Sequence, residues 1–415
     1  MFRAALGSLL TLALTLSVSS AADWPQFLGP TRDGVSPEKV APWAGPLKPA
    51  WKVPVGEAHS SPVVAGGLVY AFYQPTGKDA DALAAFDADT GERKWEKSYD
   101  RPAFKPLFGN GPRGTPVVAN GKVFTLGGTG VLAAWDAKSG ELLWKVDALK
   151  EFKAKNLFFG TSTSPLVEGD KVLVNVGGKG AGVVAFNAAD GKPAWQATDD
   201  PASYASPIAV GEGADRQFVF LTGANLLGLT PKGEKAWSFP FTALVGAGRL
   251  IESSTTPLKA GDLIVGGSVT EGSVALKVTR TGEKWAAEKV WLNPELTCYF
   301  STPVLAGKHL YMVNGSASLT NASITLRCVE LATGKPTWEK KNVGKYHAAI
   351  VRTGDGKLLM LDDAGGLSLF DADPTGYKEL AKAKVCGPTW AHPALVGGKL
   401  YLRDEKELIC VPLGK

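Results

Sequence analysis

Histidine is scarce in this chain, and it recurs at one kind of sequence position. The sequence holds four histidines. Three of them, His59, His347 and His392, each stand just before a repeated proline or its equivalent. A neutral imidazole serves as a general base, a proton shuttle or a metal ligand. These three residues are therefore the first candidates for a functional site.

Other chemically capable side chains occupy the same position in other repeats, namely Arg113, Tyr204, Glu252, Tyr299 and Trp390. If the repeats converge, these groups form a shallow funnel suited to an anion, a sugar or a peptide segment. The alternative is structural, because strand-entry residues are often polar only to bond backbone groups or water. We predict ligand-binding residues here. We predict neither a catalytic residue nor a metal ligand, because the histidines stand at unequal offsets from the proline.

A repeated phrase determines where these residues must lie. A hydroxyl-rich pair and a proline open an apolar strand, and Gly-Glu/Lys-x-x-Trp closes the unit. A period of roughly 40–50 residues with several strands per unit is typical of a β-propeller. The opening phrases are Ser60-Ser61-Pro62, Gly114-Thr115-Pro116, Thr163-Ser164-Pro165, Ala205-Ser206-Pro207, Thr255-Thr256-Pro257, Ser301-Thr302-Pro303, His347-Ala348-Ala349 and Ala391-His392-Pro393.

Each unit is closed by a large aromatic residue that we expect to wedge between adjacent blades. The closing residues are Trp95, Trp144, Trp195, Trp237, Trp285 and Trp338, with Leu380 in the seventh unit. The eighth unit stops before its outer strand. The segment Pro49–Pro54 has the pattern of such an outer strand and is expected to supply it from the N-terminal side. The predicted fold is all-β, an eight-bladed β-propeller of four-stranded antiparallel blades closed by this N-terminal strand. Seven blades remain the alternative.

The first 22 residues have the form of a secretory signal peptide, with Arg3, an apolar core over Leu6–Val18 and a small-residue cleavage site. Residues 23–47 are predicted to form an irregular lead-in, and residues 48–415 a single propeller. No cysteine follows the apolar core, so no lipid anchor is predicted. We expect an exported, soluble, monomeric protein, periplasmic or extracellular, without a transmembrane segment. The net charge of +5 is dispersed, so no nucleic-acid partner is expected.

The four cysteines fall at two repeated positions. Cys298 and Cys386 precede the first strand of a blade, whereas Cys328 and Cys410 lie in a third strand. Export permits disulfides, and this placement favours Cys298–Cys328 and Cys386–Cys410 bridges, although other pairings stay open. Buried free thiols are the alternative. Metal ligation is disfavoured because no Cys-x-x-Cys spacing occurs.

The repeat and the segment Asp23–Ser36 together resemble exported PQQ-like, quinoprotein-type propeller proteins. This resemblance covers nearly the whole mature chain and implies an eight-bladed ring. It extends to the envelope assembly scaffold of the BamB type, which has this fold and no catalytic centre. Quinoprotein alcohol dehydrogenases instead carry an adjacent cysteine pair, an aspartate base and calcium ligands. The chain departs from that pattern, since no two cysteines adjoin.

The sequence therefore favours an exported, non-catalytic scaffold without a cofactor that binds an envelope protein or polymer. Loops on a rigid ring are where such contacts concentrate. The long inserts 145–156 and 239–252 are the segments expected to meet a partner. The alternative is a periplasmic alcohol or sugar dehydrogenase that depends on pyrroloquinoline quinone (PQQ) and calcium.

Overall fold

The computed structural model describes residues 23–242, 244–245, 249–250, 253–298, 300–315 and 322–414. Eight four-stranded antiparallel sheets form the ring. In seven of them the strands run in chain order from the innermost to the outermost, whereas in the eighth the outermost strand is the first strand of the chain. The predicted eight-bladed propeller is confirmed. No helix in these described ranges is long and apolar enough to cross a membrane.

The strands of the first four blades follow the closing strand β1. Strand β1 is Trp51–Pro54, and blade one contains β2 Val63–Ala65, β3 Leu68–Tyr73, β4 Ala80–Asp87 and β5 Arg93–Asp100. Blade two contains β6 Val117–Ala119, β7 Lys122–Leu126, β8 Val131–Asp136 and β9 Leu142–Asp147, followed by the short helix α1 Ala148–Glu151. Blade three contains β10 Leu166–Glu168, β11 Lys171–Gly178, β12 Ala181–Asn187 and β13 Pro193–Ala197. Blade four contains β14 Ile208–Val210, β15 Gln217–Leu221, β16 Asn225–Leu229 and β17 Lys235–Pro240, with a 3-10 turn at Gly213–Asp215.

The last four blades follow a small hairpin of β18 Leu244–Val245 and β19 Arg249–Leu250. Blade five contains β20 Leu258–Ala260, β21 Leu263–Ser268, β22 Gly272–Thr281 and β23 Lys284–Asn293. Blade six contains β24 Val304–Ala306, β25 His309–Asn314, β26 Thr325–Glu330 and β27 Pro336–Lys340. Blade seven contains β28 Ala348–Arg352, β29 Lys357–Asp362, β30 Gly366–Asp371 and β31 Glu379–Lys384. Blade eight contains β32 Ala394–Val396, β33 Lys399–Arg403 and β34 Glu407–Pro412, completed by β1.

The ring is closed by the N-terminal strand, as predicted. Strand β1 pairs antiparallel with β34, with Trp51 opposite Cys410. The Trp51 indole N–H donates to the Ala88 carbonyl of blade one at 3.1 Å. A Cβ on Gly91 would lie 2.7 Å from the Trp51 ring, and Gly91 has φ +72°, so only glycine fits this turn. One strand thus completes the last blade and locks it against the first.

The same wedge recurs between other blades, with one correction to the sequence analysis. Trp95, Trp144 and Trp195 each lie opposite an alanine of their own blade and against a turn glycine of the next. In blade five the equivalent residue is Trp291, opposite Ala275, and not Trp285 as predicted. The reason is that β22 and β23 extend past the blade as a long hairpin, which carries Trp285 outward.

The apolar core lies between the blades. One buried cluster joins Phe72 and Ala85 of blade one to Val123 and Trp135 of blade two. Comparable clusters join the following pairs of blades around the ring. The inner strands are therefore covered on both faces, which explains why their sequences are continuously apolar rather than alternating.

The predicted disulfides do not form in this structure. All four cysteines are free and buried. Cys298 lies in the core cluster between blades five and six, whereas Cys328 lies in the cluster between blades six and seven. The Cys298 thiol instead lies 3.5 Å from the Asn314 amide nitrogen. The structure thus shows the alternative arrangement, four buried free thiols.

Candidate functional site

The repeated hydroxyl-proline phrase builds a belt of hydrogen bonds around the central channel. In most blades the residue before the proline donates its backbone N–H to the hydroxyl at the same position of the next blade. The bonds are His392 to Ser61 at 2.9 Å, Ser61 to Thr115 at 3.1 Å, Thr115 to Ser164 at 2.9 Å, Ser164 to Ser206 at 2.9 Å and Thr256 to Thr302 at 3.2 Å. The hydroxyls therefore accept hydrogen bonds from buried backbone N–H groups. This is the structural role that the sequence offered as the alternative to ligand binding at the strand entrances.

The lead-in segment lies across the channel and contacts many blades. Trp24 forms a β-bridge with Val64 of blade one, and Val35 forms one with Arg352 of blade seven. Further along, the Ser36 hydroxyl donates to the Leu395 carbonyl of blade eight at 3.3 Å. These contacts lie on the innermost strands, so the segment packs against the inner wall of the ring.

Arg32 is the most deeply inserted charge of this segment. Its side chain is buried, at 2% exposure. It donates to the Pro207 carbonyl at 2.8 Å and to the carbonyls of Ser164 and Pro165. Because these partners are neutral and water is excluded, burial lowers the pKa of Arg32 to about 9. The guanidinium thus ties the lead-in to blades three and four.

An aromatic cluster covers the channel where the innermost strands begin, and we call it the aromatic lid. Trp390 is its centre, with ring centroids 5.2 Å from His59, 5.2 Å from Phe300 and 5.4 Å from Phe108. The lid also contains Tyr346, Phe159 and Tyr204, which continue the chain of ring contacts. All of these rings come from loops that lead into innermost strands.

A cavity of about 120 Å³ lies beneath the aromatic lid. The structure brings six of the predicted site residues to its wall, namely His59, Arg113, Tyr204, His347, Trp390 and His392. Phe27 of the lead-in also lines it and contacts the His392 ring edge-on at 5.0 Å. Glu252 and Tyr299, the other two predicted residues, lie outside the described residues.

The histidines of this cavity are held in the neutral form. His347 and His392 are buried with ring centroids 5.1 Å apart. Burial lowers the pKa of His347 to about 4 and that of His392 well below its ordinary value. Burial and the positive charge of Arg113 lower the pKa of His59 to about 4. Neutral imidazoles at physiological pH provide hydrogen-bonding groups here and no positive charge.

Arg113 acts on the backbone of its own loop. It donates to the carbonyls of Leu107, Phe108 and Gly109 at 3.1 to 3.3 Å. This arginine was predicted to contact a ligand. In the structure its guanidinium holds the loop that carries Phe108 over the cavity, and sequence reasoning missed Phe108, Phe27 and Arg32 altogether.

The same loop is anchored at its base by a buried ion pair. Arg101 and Asp81 are joined at 2.8 Å, and both side chains are 1% exposed. Arg101 also donates to the Asn110 carbonyl at 3.0 Å, and Tyr99 donates to Asp81 at 3.3 Å. Burial raises the pKa of Asp81 despite the arginine beside it. The pair fixes both ends of the segment between Arg101 and Asn110.

Comparison with known proteins gives a consistent family match. A protein-family model described as the outer membrane protein assembly factor BamB matches residues 47–113 and 82–340. The chain is 28% identical over 244 residues to the BamB protein of Shewanella oneidensis, covering 55% of this chain and 56% of that protein. It is 26% identical over 308 residues to BamB of Burkholderia pseudomallei, covering 71% of this chain and 72% of that protein. The chain thus spans little more than half the length of the first of these relatives.

Solved structures with this fold include a BamB protein and dehydrogenases. BamB from Moraxella catarrhalis superposes with a TM-score of 0.61 at 14% identity, covering 89% of this chain and 98% of that chain. A europium-containing methanol dehydrogenase gives 0.65 at 15% identity, covering 94% of this chain and 89% of that chain. The quinohemoprotein alcohol dehydrogenase of Comamonas testosteroni gives 0.68 at 14% identity, covering 95% and 81%. At such low identity these likenesses concern the fold alone.

The residues of the channel do not fit a bound quinone with its metal. The cavity of about 120 Å³ is well below the roughly 300–1,000 Å³ of ordinary cofactor sites. Within the described ranges, no group of three or more His, Cys, Asp or Glu residues is arranged to hold a metal ion. Phe27 and rings of the aromatic lid line this small cavity. The geometry is that of a packed channel with a covered mouth.

Proposed function

Because this chain belongs to the family of the outer membrane protein assembly factor BamB, we propose that it is an exported, non-catalytic scaffold of the cell envelope that binds a protein partner. The observation that carries the proposal is an exposed apolar surface beside the channel mouth. We define this mouth patch as Leu107 and Phe158, which are 50% and 70% exposed.

The mouth patch has the composition of a binding surface. Phe158 rests edge-on against Phe159 at 4.8 Å, and Phe159 contacts Phe108 at 6.0 Å. Leu107 is the neighbour of Phe108 in the adjacent loop. Exposed aromatic side chains are frequent anchors at protein interfaces and can supply much of the binding energy. The two loops therefore present an exposed aromatic side chain, Phe158, and an exposed aliphatic one, Leu107. The contact between Phe159 and Phe108 joins the two loops beneath them.

These loops are held rigid before any partner arrives. The Arg101–Asp81 pair and the three carbonyl bonds of Arg113 fix the loop of Leu107. The Phe159 N–H donates to the Tyr204 hydroxyl at 3.1 Å, which fixes the loop of Phe158. A preorganised surface loses little conformational entropy on binding, so a small patch can give useful affinity. The segment 145–156, which the sequence predicted to meet a partner, ends two residues before Phe158.

The absence of a catalytic role is part of the proposal. It is supported by the family relationship and by the way the polar groups near the channel are used. The belt hydroxyls accept backbone N–H groups, and the guanidiniums of Arg32 and Arg113 donate to carbonyls. Groups committed to the backbone are poorly placed for proton transfer to a substrate. Localisation in the periplasm or outside the cell remains a proposal that depends on residues 1–22, which lie outside the described residues.

The test is affinity capture of the tagged chain from its native envelope, with two matched variants. Phe158→Ser removes the anchor of the mouth patch. Leu143→Ser changes a residue that is 42% exposed on outer strand β9, away from the mouth. We expect one discrete protein to be captured by the wild type and by Leu143→Ser but not by Phe158→Ser.

The alternative enzyme predicts a different outcome. Addition of PQQ and calcium to the purified chain would then produce dye-linked oxidation of alcohols or sugars. Such turnover, or equal capture of the partner by Phe158→Ser, would contradict the proposed function.

A further inference from the structure

A second and larger depression lies on the same face of the ring, beside the mouth patch. This cleft has a volume of about 1050 Å³. It is lined by residues of blades one, seven and eight, and each of them lies in a loop between strands. Its size is at or above the upper end of ordinary small-molecule sites, roughly 300–1,000 Å³. The cleft is therefore large enough for an extended ligand.

One side of the cleft is aromatic. Trp390, Tyr346 and Phe108 all line it and are half-buried. The Trp390 and Tyr346 rings are 5.7 Å apart and inclined at 65°, and His59 and Phe300 each stack against Trp390 at 5.2 Å. These rings present apolar surface on a rigid base. A ligand with flat apolar faces would pack on them.

Other residues of the cleft carry hydrogen-bond donors and acceptors. Lys78 and Lys406 supply donors, and Asp79 and Glu405 supply acceptors. Within the described part of the chain, the carboxylates of Asp79 and Glu405 have no hydrogen-bond or ion-pair partner. Gln74 also lines the cleft, 9% exposed, and its side-chain oxygen is buried without a partner in the described structure.

The remaining carboxylates of the cleft are already occupied by backbone groups. Glu57 accepts from the Asn110 N–H at 3.0 Å. Asp363 accepts from the Tyr346 N–H at 2.7 Å, and Asp404 accepts from the Gly387 N–H at 2.9 Å. With lysines and carboxylates interspersed, the cleft presents no field of a single sign. This pattern disfavours a strongly charged ligand.

We propose that this cleft binds a neutral oligosaccharide chain. A sugar ring offers C–H faces that pack on the aromatic rings of the lining and a rim of hydroxyls that both donate and accept, which matches the aromatic and polar groups of the cleft. A peptide is disfavoured because the walls are loops, and no open strand edge is offered for main-chain pairing. The site goes beyond the protein partner proposed above, and the two sites share the loop of Phe108.

The test uses isothermal titration of the full mature chain with cellotetraose, chitotetraose and maltotetraose as separate probes. We expect at least one probe to bind saturably. Trp390→Leu should weaken its affinity at least about tenfold, the loss expected from one stacked ring. Because Trp390 also packs against the lid, the exposed pair Asp79→Asn with Glu405→Gln provides a second test that does not depend on core packing. This double variant should weaken binding about tenfold as well.

The matched control is Phe158→Ser, which changes the mouth patch and leaves the cleft intact. It should bind the saccharide as the wild type does, while Trp390→Leu and the double variant should still capture the protein partner. The two proposals can therefore fail separately. No heat from any of the three probes with folded wild type would overturn the saccharide site. Binding unaffected by both cleft changes, or tighter binding of an unrelated decapeptide, would also overturn it.

Discussion

The backbone N–H of His392 in the last blade donates a 2.9 Å hydrogen bond to the Ser61 hydroxyl in the first blade. The two residues are far apart in the chain, and this contact joins its two ends at the channel wall. The same bond recurs between other blades. The repeated hydroxyl therefore links neighbouring blades at their innermost strands. Trp51 links blade eight to blade one at the outermost strand.

Removing one hydroxyl of the belt should destabilise the ring measurably. Ser61→Ala leaves the buried His392 N–H without a partner, which costs about 1–3 kcal/mol of the free energy of unfolding. Ser61→Thr keeps the oxygen, as Thr115 does in blade two, and should stay within about 1 kcal/mol of the wild type. Urea unfolding followed by tryptophan fluorescence measures both. Equal stabilities for the two variants would contradict this role.

Two tryptophans of the same strand provide a matched comparison of the wedge. Trp291 is 8% exposed and packs on Gly334 of the next blade, whereas Trp285 lies on the extended hairpin with Arg280 over its ring at 5.5 Å. Trp291→Ala should cost about 3–5 kcal/mol of unfolding free energy, as for a buried tryptophan. Trp285→Ala should cost at least about 2 kcal/mol less. A larger loss for Trp285→Ala would show that the wedge is wrongly assigned.

This pair also shows where sequence reasoning fails. The stretch from Gly282 to Trp285 resembles the closing motif of the other blades but is one residue shorter. Only the register of β22 against β23 shows that Trp291 lies opposite Ala275. The repeat count, the strand order and the closing strand could be predicted because a propeller repeats the same local pattern. The extended hairpin places an incomplete copy of the closing motif beyond the blade, opposite Arg280.

The cysteines should behave as four inaccessible thiols. Burial raises the pKa of the Cys298 thiol to about 12, so little reactive thiolate is present at pH 8. A thiol-specific chromogenic reagent should react slowly with the native chain. It should titrate four thiols once the chain is unfolded without reductant, since all four cysteines are free. Two or fewer thiols in the unfolded chain would restore the disulfide hypothesis.

Stability should fall as the solution is acidified, because of the buried histidines. His347 has a pKa of about 4 in the folded chain and about 6.5 when unfolded, so the unfolded chain binds more protons between these values. Its neighbour Asp363 opposes this shift and His392 shares the cavity, but burial dominates. Between pH 7.5 and 5, the wild type should lose about 2 kcal/mol more stability than His347→Gln. Identical losses would show that His347 is solvated.

The site was predicted less completely than the fold. His59, Arg113, Tyr204, His347, Trp390 and His392 do surround one cavity, because the entrance of every innermost strand converges on the channel. Phe27 and Arg32 were not foreseen, since a segment without periodicity gives no sign of where it packs. The exposed Phe158 was also missed. Exposure depends on how neighbouring loops stack, and the sequence alone does not determine it.

The central claim is that the mouth patch is a contact surface for an envelope protein. A photoreactive benzoylphenylalanine at position 158 tests it directly, with the same residue at position 143 as the control, since both native side chains are exposed and apolar. Irradiation of the intact envelope should give a discrete crosslinked band from position 158 and none from position 143. The same bands from both positions, or no band from position 158, would contradict the account.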